Sequence, residues 1–252
     1  MAGIGSIADR HFTSKSIRVL NGSALIGAKP RGRSCLIAGQ QESKDAMDKP
    51  PISRGFRSRR QQQGLADRVP PGQYVTAGFP VLSAGPTPQI KLEEWTFAFQ
   101  LDGWMLGEWT WAEFQALPQT TFKTDIHCVT KWSKLDTVWQ GVSIDDLLKA
   151  VDLREAPFPY VMAHCHGGYT TNVPVADLVG AKGMIATRYD GAPIPPAHGG
   201  PARLLVPHLY FWKSAKWIRR LRFMEEDEHG FWESLGYHNH GDPWKEQRYD
   251  GD

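Results

Sequence analysis

The stretch 125–133 (DIHCVTKWS) contains Cys128, whose thiol lies at a position where it could bind a metal or act as a nucleophile. Residues 121–126 are predicted to form a short strand, so Cys128 lies where a strand ends and a loop begins, a common place for functional side chains. Lys131 and Lys134 follow closely, and cationic neighbours favour the thiolate, which binds soft metals or attacks electrophiles. The alternative from the residues alone is a small buried hydrophobic side chain.

Two later stretches, HGGPAR and FWKSAKW, carry further polar residues at short spacing. Arg203 has a planar, permanently charged guanidinium that suits phosphate, and His198 lies five residues before it. Taken alone, His198 is interpreted as a turn histidine, Arg203 as half of a surface ion pair, and the lysine-rich stretch as a basic turn before a strand.

Three blocks of sequence, taken together, are more specific than any of these residues. They are HCVTKWSKLDTVWQGVSIDDLL, GYTTNVPVADL and HGGPARLLVPHLYFWKSAKWIRRLRF. In order and approximate spacing they resemble the molybdenum-cofactor domain of the sulfite oxidase family, including the small bacterial sulfite-oxidase-like proteins and the methionine sulfoxide reductase catalytic subunit. The resemblance covers about residues 69–223, a single-domain length.

The resemblance implies a molybdenum cofactor with a single molybdopterin, whose dithiolene supplies two sulfurs to the metal. The protein then adds one soft ligand, donors for the pterin and cations for the phosphate. Cys128 matches the cysteine that ligates molybdenum, and His198 and Arg203 match positions that hold the cofactor. The segment matched to the phosphate end, with its backbone amides and lysine, comprises Ser214, Ala215 and Lys216.

Two more residues and several departures from the family pattern bear on the substrate. Tyr169 matches the tyrosine beside the substrate oxyanion, although it could equally be a core tyrosine with an exposed tip. Cys165 falls near a cofactor contact of the sulfoxide reductase, with a buried inert thiol as the alternative. The arginines expected for a sulfite pocket are absent: Ser133 takes one place, and Thr76 and Gly78 lie in the stretch where sulfite oxidases carry an arginine and a histidine. A neutral or zwitterionic S-oxide or N-oxide is therefore slightly preferred.

Composition excludes several other classes of protein. The chain has 252 residues, 41% hydrophobic, and a net charge of only +2, which argues against a nucleic-acid binder despite basic runs at 54–60 and 213–222. Three cysteines without a CxxC pair fit neither a disulfide scaffold nor a structural zinc site. No segment is long and apolar enough to insert in a membrane, and no apolar stretch follows Arg59-Arg60, so we expect a cytoplasmic protein.

Two regions differ in composition. Residues 1–63 lack a sustained period and are predicted to be a disordered or loosely attached leader, with Met47 as an alternative start. Residues 69–252 are predicted to form the molybdopterin-binding oxidoreductase domain. The dimerisation domain of sulfite oxidases has no counterpart, so a monomer is expected. A stretch from Tyr237 to Trp244 is interpreted as a flexible aromatic tail, or as one that folds over the domain.

Short strands with few helices predict an α+β domain with mixed sheets. Alternation at 95–101 followed by Asp102-Gly103 predicts a strand and a tight turn. Thr110 with Glu113, and Ser143 with Asp146, predict capped helix starts. Further strands are predicted at 159–164, 184–189, 203–206 and 217–223, whereas the residues after Ser133 are predicted to be a polar connection.

The function predicted from the sequence is oxygen-atom transfer to or from a small S-oxo or N-oxide substrate, with electrons exchanged with a separate carrier protein. Sulfite oxidation proper is one alternative. A non-catalytic pterin-binding protein is another, although it would have no need for Cys128. A nucleic-acid or membrane-surface module conflicts with the near-neutral charge balance.

Overall fold

A computed structural model describes Leu65 and residues 67–252. The predictions for the leader 1–63 and for Met47 lie outside the described residues. The strands are β1 Tyr74–Val75, β2 Thr96–Leu101, β3 Trp104–Thr110, β4 Thr120–His127, β5 Trp132–Ser143, β6 Tyr160–Cys165, β7 Thr170–Pro174, β8 Met184–Tyr189, β9 Ala192–Pro193, β10 Arg203–Leu205 and β11 Ile218–Met224. The α-helices are α1 Trp111–Ala116 and α2 Ile144–Ala150.

The strands form two mixed sheets. In the first, the order β1-β5-β8-β10 is extended by β4 against β5 and β9 against β8, and only the β1–β5 pair is parallel. In the second, the order is β3-β2-β11-β6-β7, and only the β2–β11 pair is parallel. Two mixed sheets with two short α-helices confirm the predicted α+β class.

Two clusters of buried side chains form the core. The larger one is rich in aromatic rings, with Trp95, Phe97 and Phe99 each at most 1% exposed. The smaller one gathers Cys128 and its neighbours from the first sheet, including Trp139. Because this second cluster lies at the end of β4, the chain places the predicted metal ligand among aromatic side chains rather than in solvent.

Local signals in the sequence predicted several elements correctly. The turn Asp102-Gly103 joins β2 to β3, and both residues have the positive φ that such turns require. Helix α1 begins with the full Thr110–Glu113 capping box. Ser143 is the N-cap of helix α2, and its side chain accepts a hydrogen bond from the Asp146 amide.

The prediction of a polar connection after Ser133 was wrong. The residues instead continue β5 as one 12-residue strand through Ser143. Asp136 has a φ of 56°, and the opposite strand shifts register between Thr124 and Ile126, so the two strands tolerate an irregular segment. Arg68 donates to the carboxylates of both Asp125 and Asp136 there, which holds the polar residues on the outside.

Candidate active site

Cys128 begins a tight turn between β4 and β5. Its backbone amide donates to the Trp132 carbonyl at 2.8 Å, and its carbonyl accepts from the Lys131 amide at 3.0 Å. Lys131 has a φ of 72°, a conformation that non-glycine residues seldom adopt outside turns and functional sites. The turn thereby fixes the direction in which the Cys128 side chain leaves the backbone.

Two distant side chains hold this turn in place. Gln73 Nε2 donates to the Cys128 carbonyl at 3.1 Å, and Arg248 donates to the Val129 carbonyl at 2.9 Å. Arg248 is only 8% exposed, and its guanidinium also lies 5.0 Å from the Tyr210 ring centroid. Because these contacts come from opposite ends of the described chain, the turn depends on the tertiary structure for its position.

The thiol of Cys128 is 6% exposed, and Thr130 Oγ1 donates to its sulfur at 3.2 Å. Burial raises the pKa of Cys128 above its ordinary value, against the opposing effect of the Thr130 hydrogen bonds and of the Arg248 charge. The expectation that Lys131 and Lys134 favour the thiolate was wrong. Lys134 Nζ instead donates to the Ala77 carbonyl at 2.8 Å.

His198 ends a short 3-10 turn, Pro196–His198, that precedes two glycines. Its ring stacks on Phe79 with centroids 4.0 Å apart, and burial lowers the pKa of the imidazole. A Cβ on Gly200 would lie 2.0 Å from the Ile194 carbonyl oxygen, so the backbone passes too close for any other residue. A Cβ on Gly199 would lie 2.9 Å from the Lys216 Cβ, so the backbone directly after His198 packs against Lys216.

Arg203 at the start of β10 is 1% exposed. Its guanidinium donates to the His198 carbonyl at 2.8 Å and to the Ser214 carbonyl, and it lies 4.1 Å from the Phe211 ring centroid. Burial lowers the pKa of Arg203 to about 9. No carboxylate among the described residues pairs with it, and this buried cation is instead compensated by carbonyl dipoles and by the ring faces of Phe211 and Trp139.

Lys216 is a second cation beside Arg203. Its Nζ donates to the Leu82 carbonyl at 2.6 Å and to the Ala197 carbonyl at 2.9 Å. Burial, reinforced by repulsion from Arg203, lowers the pKa of Lys216 to about 8. Like Arg203, it has no carboxylate partner within the part of the chain that the structure describes.

Ser214 and Ala215 connect these cations to the loop after β10. The Ser214 amide donates to the Phe211 carbonyl at 3.2 Å, and the Ala215 amide donates to the Lys213 carbonyl at 3.1 Å. The Ser214 hydroxyl accepts from the Val206 amide at 2.9 Å. These bonds make the loop a fixed tight turn, so Lys216 leaves it in a defined direction.

The hydroxyl of Tyr169 donates to the Trp212 carbonyl at 2.8 Å. Burial raises its pKa well above the ordinary value, so the group stays a neutral hydroxyl. The backbone carbonyl of Trp212 thus holds this hydroxyl. The contact of Tyr169 with substrate stays a prediction.

A single cavity of about 490 Å³ brings most of the predicted residues together. Its lining includes seven of the eight: Cys128, Tyr169, His198, Arg203, Ser214, Ala215 and Lys216. Cys165 is not among the lining residues, since its side chain packs in the larger core cluster and is 4% exposed. Burial raises the pKa of the Cys165 thiol. Its predicted contact with the cofactor therefore lacks the support that the other seven have.

Aromatic side chains form much of the cavity wall, and among the six that follow, the sequence had singled out only Tyr237. They come from distant parts of the chain: Phe79, Phe211, Trp212, Phe231, Trp232 and Tyr237. Trp132 also lines the cavity, and its indole Nε1 is buried with no hydrogen-bond partner among the described residues. Their spacing in the sequence carries no common period, so only the folded chain reveals that they share one wall.

The C-terminal segment closes this site rather than extending as a flexible tail. The Tyr210 amide donates to the Gly241 carbonyl at 2.8 Å, and His240 Nε2 lies 2.9 Å from Asp177 Oδ2. Tyr237 in turn lines the cavity. The interpretation in which this stretch folds over the domain thus describes the structure.

The donors of the cavity fit a molybdopterin cofactor. The buried thiol of Cys128 is a soft ligand of the kind that molybdenum accepts in this class of site. Arg203 is buried and Lys216 half-buried, neither has a carboxylate partner among the described residues, and an anionic phosphate would compensate their charge. The aromatic wall offers ring faces for a flat pterin.

No helix of the described residues is long and apolar enough to cross a membrane. Among the described residues, no group of three or more His, Cys, Asp or Glu side chains converges on one point as a metal site would require.

Comparison with known proteins agrees with this geometry. Residues 84–232, more than half of the chain, match the family described as "Oxidoreductase molybdopterin binding domain". The chain is 43% identical over 194 residues to an uncharacterized oxidoreductase, YuiH, of Bacillus subtilis, which covers 76% of this chain and 96% of that protein.

Two further proteins are more distant. A putative protein-methionine-sulfoxide reductase subunit, YedZ1, of Azospira oryzae is 27% identical over 66% of this chain and 64% of its own length. The sulfane dehydrogenase SoxCD of Paracoccus pantotrophus is similar in structure with a TM-score of 0.48 and 17% identity, over 56% of this chain and 40% of that chain. By its family match and its resemblance to YuiH, the chain belongs to the molybdopterin-binding oxidoreductases and is a molybdenum-cofactor-dependent enzyme, as the sequence predicted.

Proposed function

We propose that the enzyme transfers an oxygen atom to or from a small S-oxo substrate, with Cys128 as the protein ligand of molybdenum. The observation that carries this proposal is one cavity lined by the buried Cys128 thiol and by two cations, Arg203 and Lys216, that have no carboxylate partner in the described part of the chain. When bound, the molybdenum cofactor supplies the exchange of one oxygen atom and two electrons.

In this proposal the chain's own residues bind the cofactor and orient it. Arg203, held at two carbonyls, and Lys216 hold the anionic end of the cofactor, while Ser214 and Ala215 keep the loop between them rigid. His198 stacks on Phe79 and holds Arg203 through its carbonyl. Fixed donors that need no rearrangement favour tight binding of a charged group.

The proposed substrate is an S-oxide, with methionine sulfoxide as the first candidate. The aromatic wall suits an apolar thioether chain, and the unpartnered Nε1 of Trp132 is a neutral donor for a sulfoxide oxygen. Ser133, at the position where sulfite oxidases carry an arginine, is fully buried, with its hydroxyl 2.9 Å from His127 Nδ1. The similarity to a putative protein-methionine-sulfoxide reductase subunit supports the same substrate class.

The electrons are proposed to come from, or go to, a separate carrier protein. A relative that is named as a subunit of a reductase supports this arrangement. The cytoplasmic location and the monomeric state expected from the sequence are proposals of the same kind. Cell fractionation and mass measurement in solution test them directly.

Molybdenum content per chain tests the site. Wild type, Cys128→Ser and Cys165→Ala should be purified from a host that makes the cofactor, and metal and pterin measured. We expect about one molybdenum per wild-type chain, loss of metal in Cys128→Ser, and retention in Cys165→Ala, because Cys165 does not line the cavity. A folded, cofactor-supplied wild type without metal and pterin overturns the proposal, as does full metal in Cys128→Ser.

Turnover tests the substrate. The loaded enzyme should reduce methionine sulfoxide with a chemically reduced viologen dye, and oxidise sulfite with ferricyanide only weakly. Trp132→Phe keeps the ring but removes the indole donor, so it should raise KM for the sulfoxide with little change in molybdenum content. Faster sulfite oxidation than sulfoxide reduction would favour the sulfite oxidase alternative, and a loaded but inactive protein the non-catalytic pterin-binding alternative.

A further inference from the structure

A bulge in the second sheet places two consecutive arginines on its outer face. Across β6 and β11, Ile218 pairs with Cys165 and Arg220 pairs with His164, so Arg219 is the extra residue. A bulge of this kind breaks the alternation of side chains and re-aims one of them. Arg219 is exposed and Arg220 half-buried, while Ile218 faces the core with no exposure.

Four cationic or ionisable nitrogen side chains meet here. Arg220 lies directly opposite His164 in the register, and the His166 amide donates to the Trp217 carbonyl at 2.9 Å, two residues before Arg219. Like charges facing each other across a sheet are unfavourable. Burial, with repulsion from the neighbouring arginines, lowers the pKa of His164 to about 4, and burial with the Arg219 charge lowers that of His166.

Three nitrogens of this cluster have no hydrogen-bond partner among the described residues although they are buried. They are Arg220 Nε, His164 Nε2 and His166 Nε2. Buried polar atoms are rarely left without a partner in folded proteins, so each one requires an explanation. Arg220 and His164 lie opposite each other on adjacent strands and His166 follows the end of β6, so one ligand with several acceptor oxygens would satisfy more than one of these nitrogens.

Nearby carboxylates do not neutralise the cluster. Glu228 forms a 2.6 Å ion pair with Arg222, and its charge acts to raise the pKa of His164 against the larger effects of burial and the arginines. Glu108 lies in the same row of the sheet, but Ala98 separates it from Arg220. Neither Arg219 nor Arg220 takes part in an ion pair among the described residues.

We propose that this bulge binds one small oxyanion, of the sulfate or phosphate kind, between Arg220 and His164, with Arg219 and His166 beside it. Several oxygens on one anion can accept from a guanidinium and a protonated imidazole at once. His166 also lines the cavity that holds Cys128, so the proposed anion lies beside the candidate active site. The proposal does not depend on which substrate the enzyme turns over.

Titration with sodium sulfate and sodium phosphate, against sodium chloride at equal ionic strength, tests the site in the full-length protein. Binding is followed by calorimetry and by the NMR resonances of His164. We expect saturable binding of one oxyanion per chain and a rise in the His164 pKa when the anion is bound. Arg220→Gln should weaken binding about tenfold, the effect of losing one charge-assisted hydrogen bond.

Arg154→Gln is the matched control, because it removes the same charge from an exposed arginine far from the bulge in sequence. It should bind like wild type, and thermal unfolding should show that both variants fold. Equal shifts of His164 in chloride and in sulfate overturn the proposal, as does equal weakening by both variants. Binding of polyglutamate without binding of sulfate or phosphate also overturns it, and would identify the bulge as a surface for acidic proteins.

Discussion

Lys213 Nζ lies 2.6 Å from Glu233 Oε1, and neither side chain is exposed to solvent. The same Glu233 oxygen accepts from Trp212 Nε1 at 2.9 Å and from Thr171 Oγ1 at 2.8 Å. Trp212 lines the cavity, and its carbonyl accepts from the Tyr169 hydroxyl. One buried carboxylate thus anchors the loop that carries Lys216 and the wall that carries Tyr169.

Breaking this ion pair on one side should destabilise the protein strongly. Glu233→Gln leaves Lys213 buried without an opposite charge, a change that typically costs about 3–5 kcal/mol of the free energy of unfolding. The double variant Lys213→Met with Glu233→Gln removes both charges and should recover a large part of that loss. Urea denaturation followed by fluorescence measures both, and a double variant no more stable than Glu233→Gln contradicts the prediction.

Replacing Arg203 should remove cofactor binding with a smaller effect on the fold than Glu233→Gln. The guanidinium is buried without a carboxylate partner among the residues that the structure describes, so Arg203→Met removes a charge whose burial is itself unfavourable. Arg203→Lys keeps the charge but loses the planar fork, and should retain an intermediate amount of pterin. Pterin released per chain, measured by its fluorescence after oxidation, ranks the three proteins, and wild-type pterin content in Arg203→Met contradicts the assignment.

The backbone at Gly200 should tolerate no side chain. A Cβ there would lie 2.0 Å from the Ile194 carbonyl oxygen, so Gly200→Ala must displace the turn that carries His198 and Arg203. Overpacking of this kind costs about 1–3 kcal/mol or more. Gly85→Ala is the control, because no atom lies within 4 Å of a Cβ at that position. Equal melting temperatures of the two variants would show that the turn adapts.

The contact between His240 and Asp177 should make stability depend on pH. The Asp177 hydrogen bond raises the pKa of His240, so its contribution is complete below the unfolded value of 6.5 and is lost as pH rises through the folded pKa. Although burial opposes it, hydrogen bonds from His208 and His240 lower the pKa of Asp177, so its contribution is present above 3.8 and is lost as pH falls.

Asp177→Asn should therefore destabilise the protein most between pH 3.8 and pH 6.5, and less outside that window. Unfolding free energies of wild type and variant across this range give the difference at each pH. His229→Gln, a change at an exposed histidine, is the control and should show the wild-type pH profile. A difference between wild type and Asp177→Asn that stays constant with pH excludes the charge contact as its cause.

The sequence alone predicted the elements whose causes are local. Alternation and turn residues predicted β2 and its hairpin, and capping residues predicted where α1 and α2 begin. The order of three sequence blocks also predicted the family and its cofactor, which the comparisons confirm. Such signals survive in a linear chain because each depends on residues a few positions apart or on a fixed order of motifs.

Features that depend on distant partners were decided only by the tertiary structure. Residues after Ser133 are polar, yet they continue β5 because β4 pairs with them along one edge and β8 joins the other edge from Trp139 onwards. The pKa of Cys128 is raised, opposite to the direction expected from the nearby lysines, because burial of the side chain outweighs the hydrogen bonds and the Arg248 charge.

The same holds for the cavity itself. Arg203 was expected at the surface or on a cofactor, and its burial became visible only once β10 was paired with β8. Cys165 and Tyr169 are four residues apart, yet the alternation of β6 and the turn after it send one into the core and the other to the cavity. Sequence determined which chemical groups this protein carries and the family to which it belongs. Folding decided which of them share a cavity, because strand pairing and burial act between residues that are far apart in the chain.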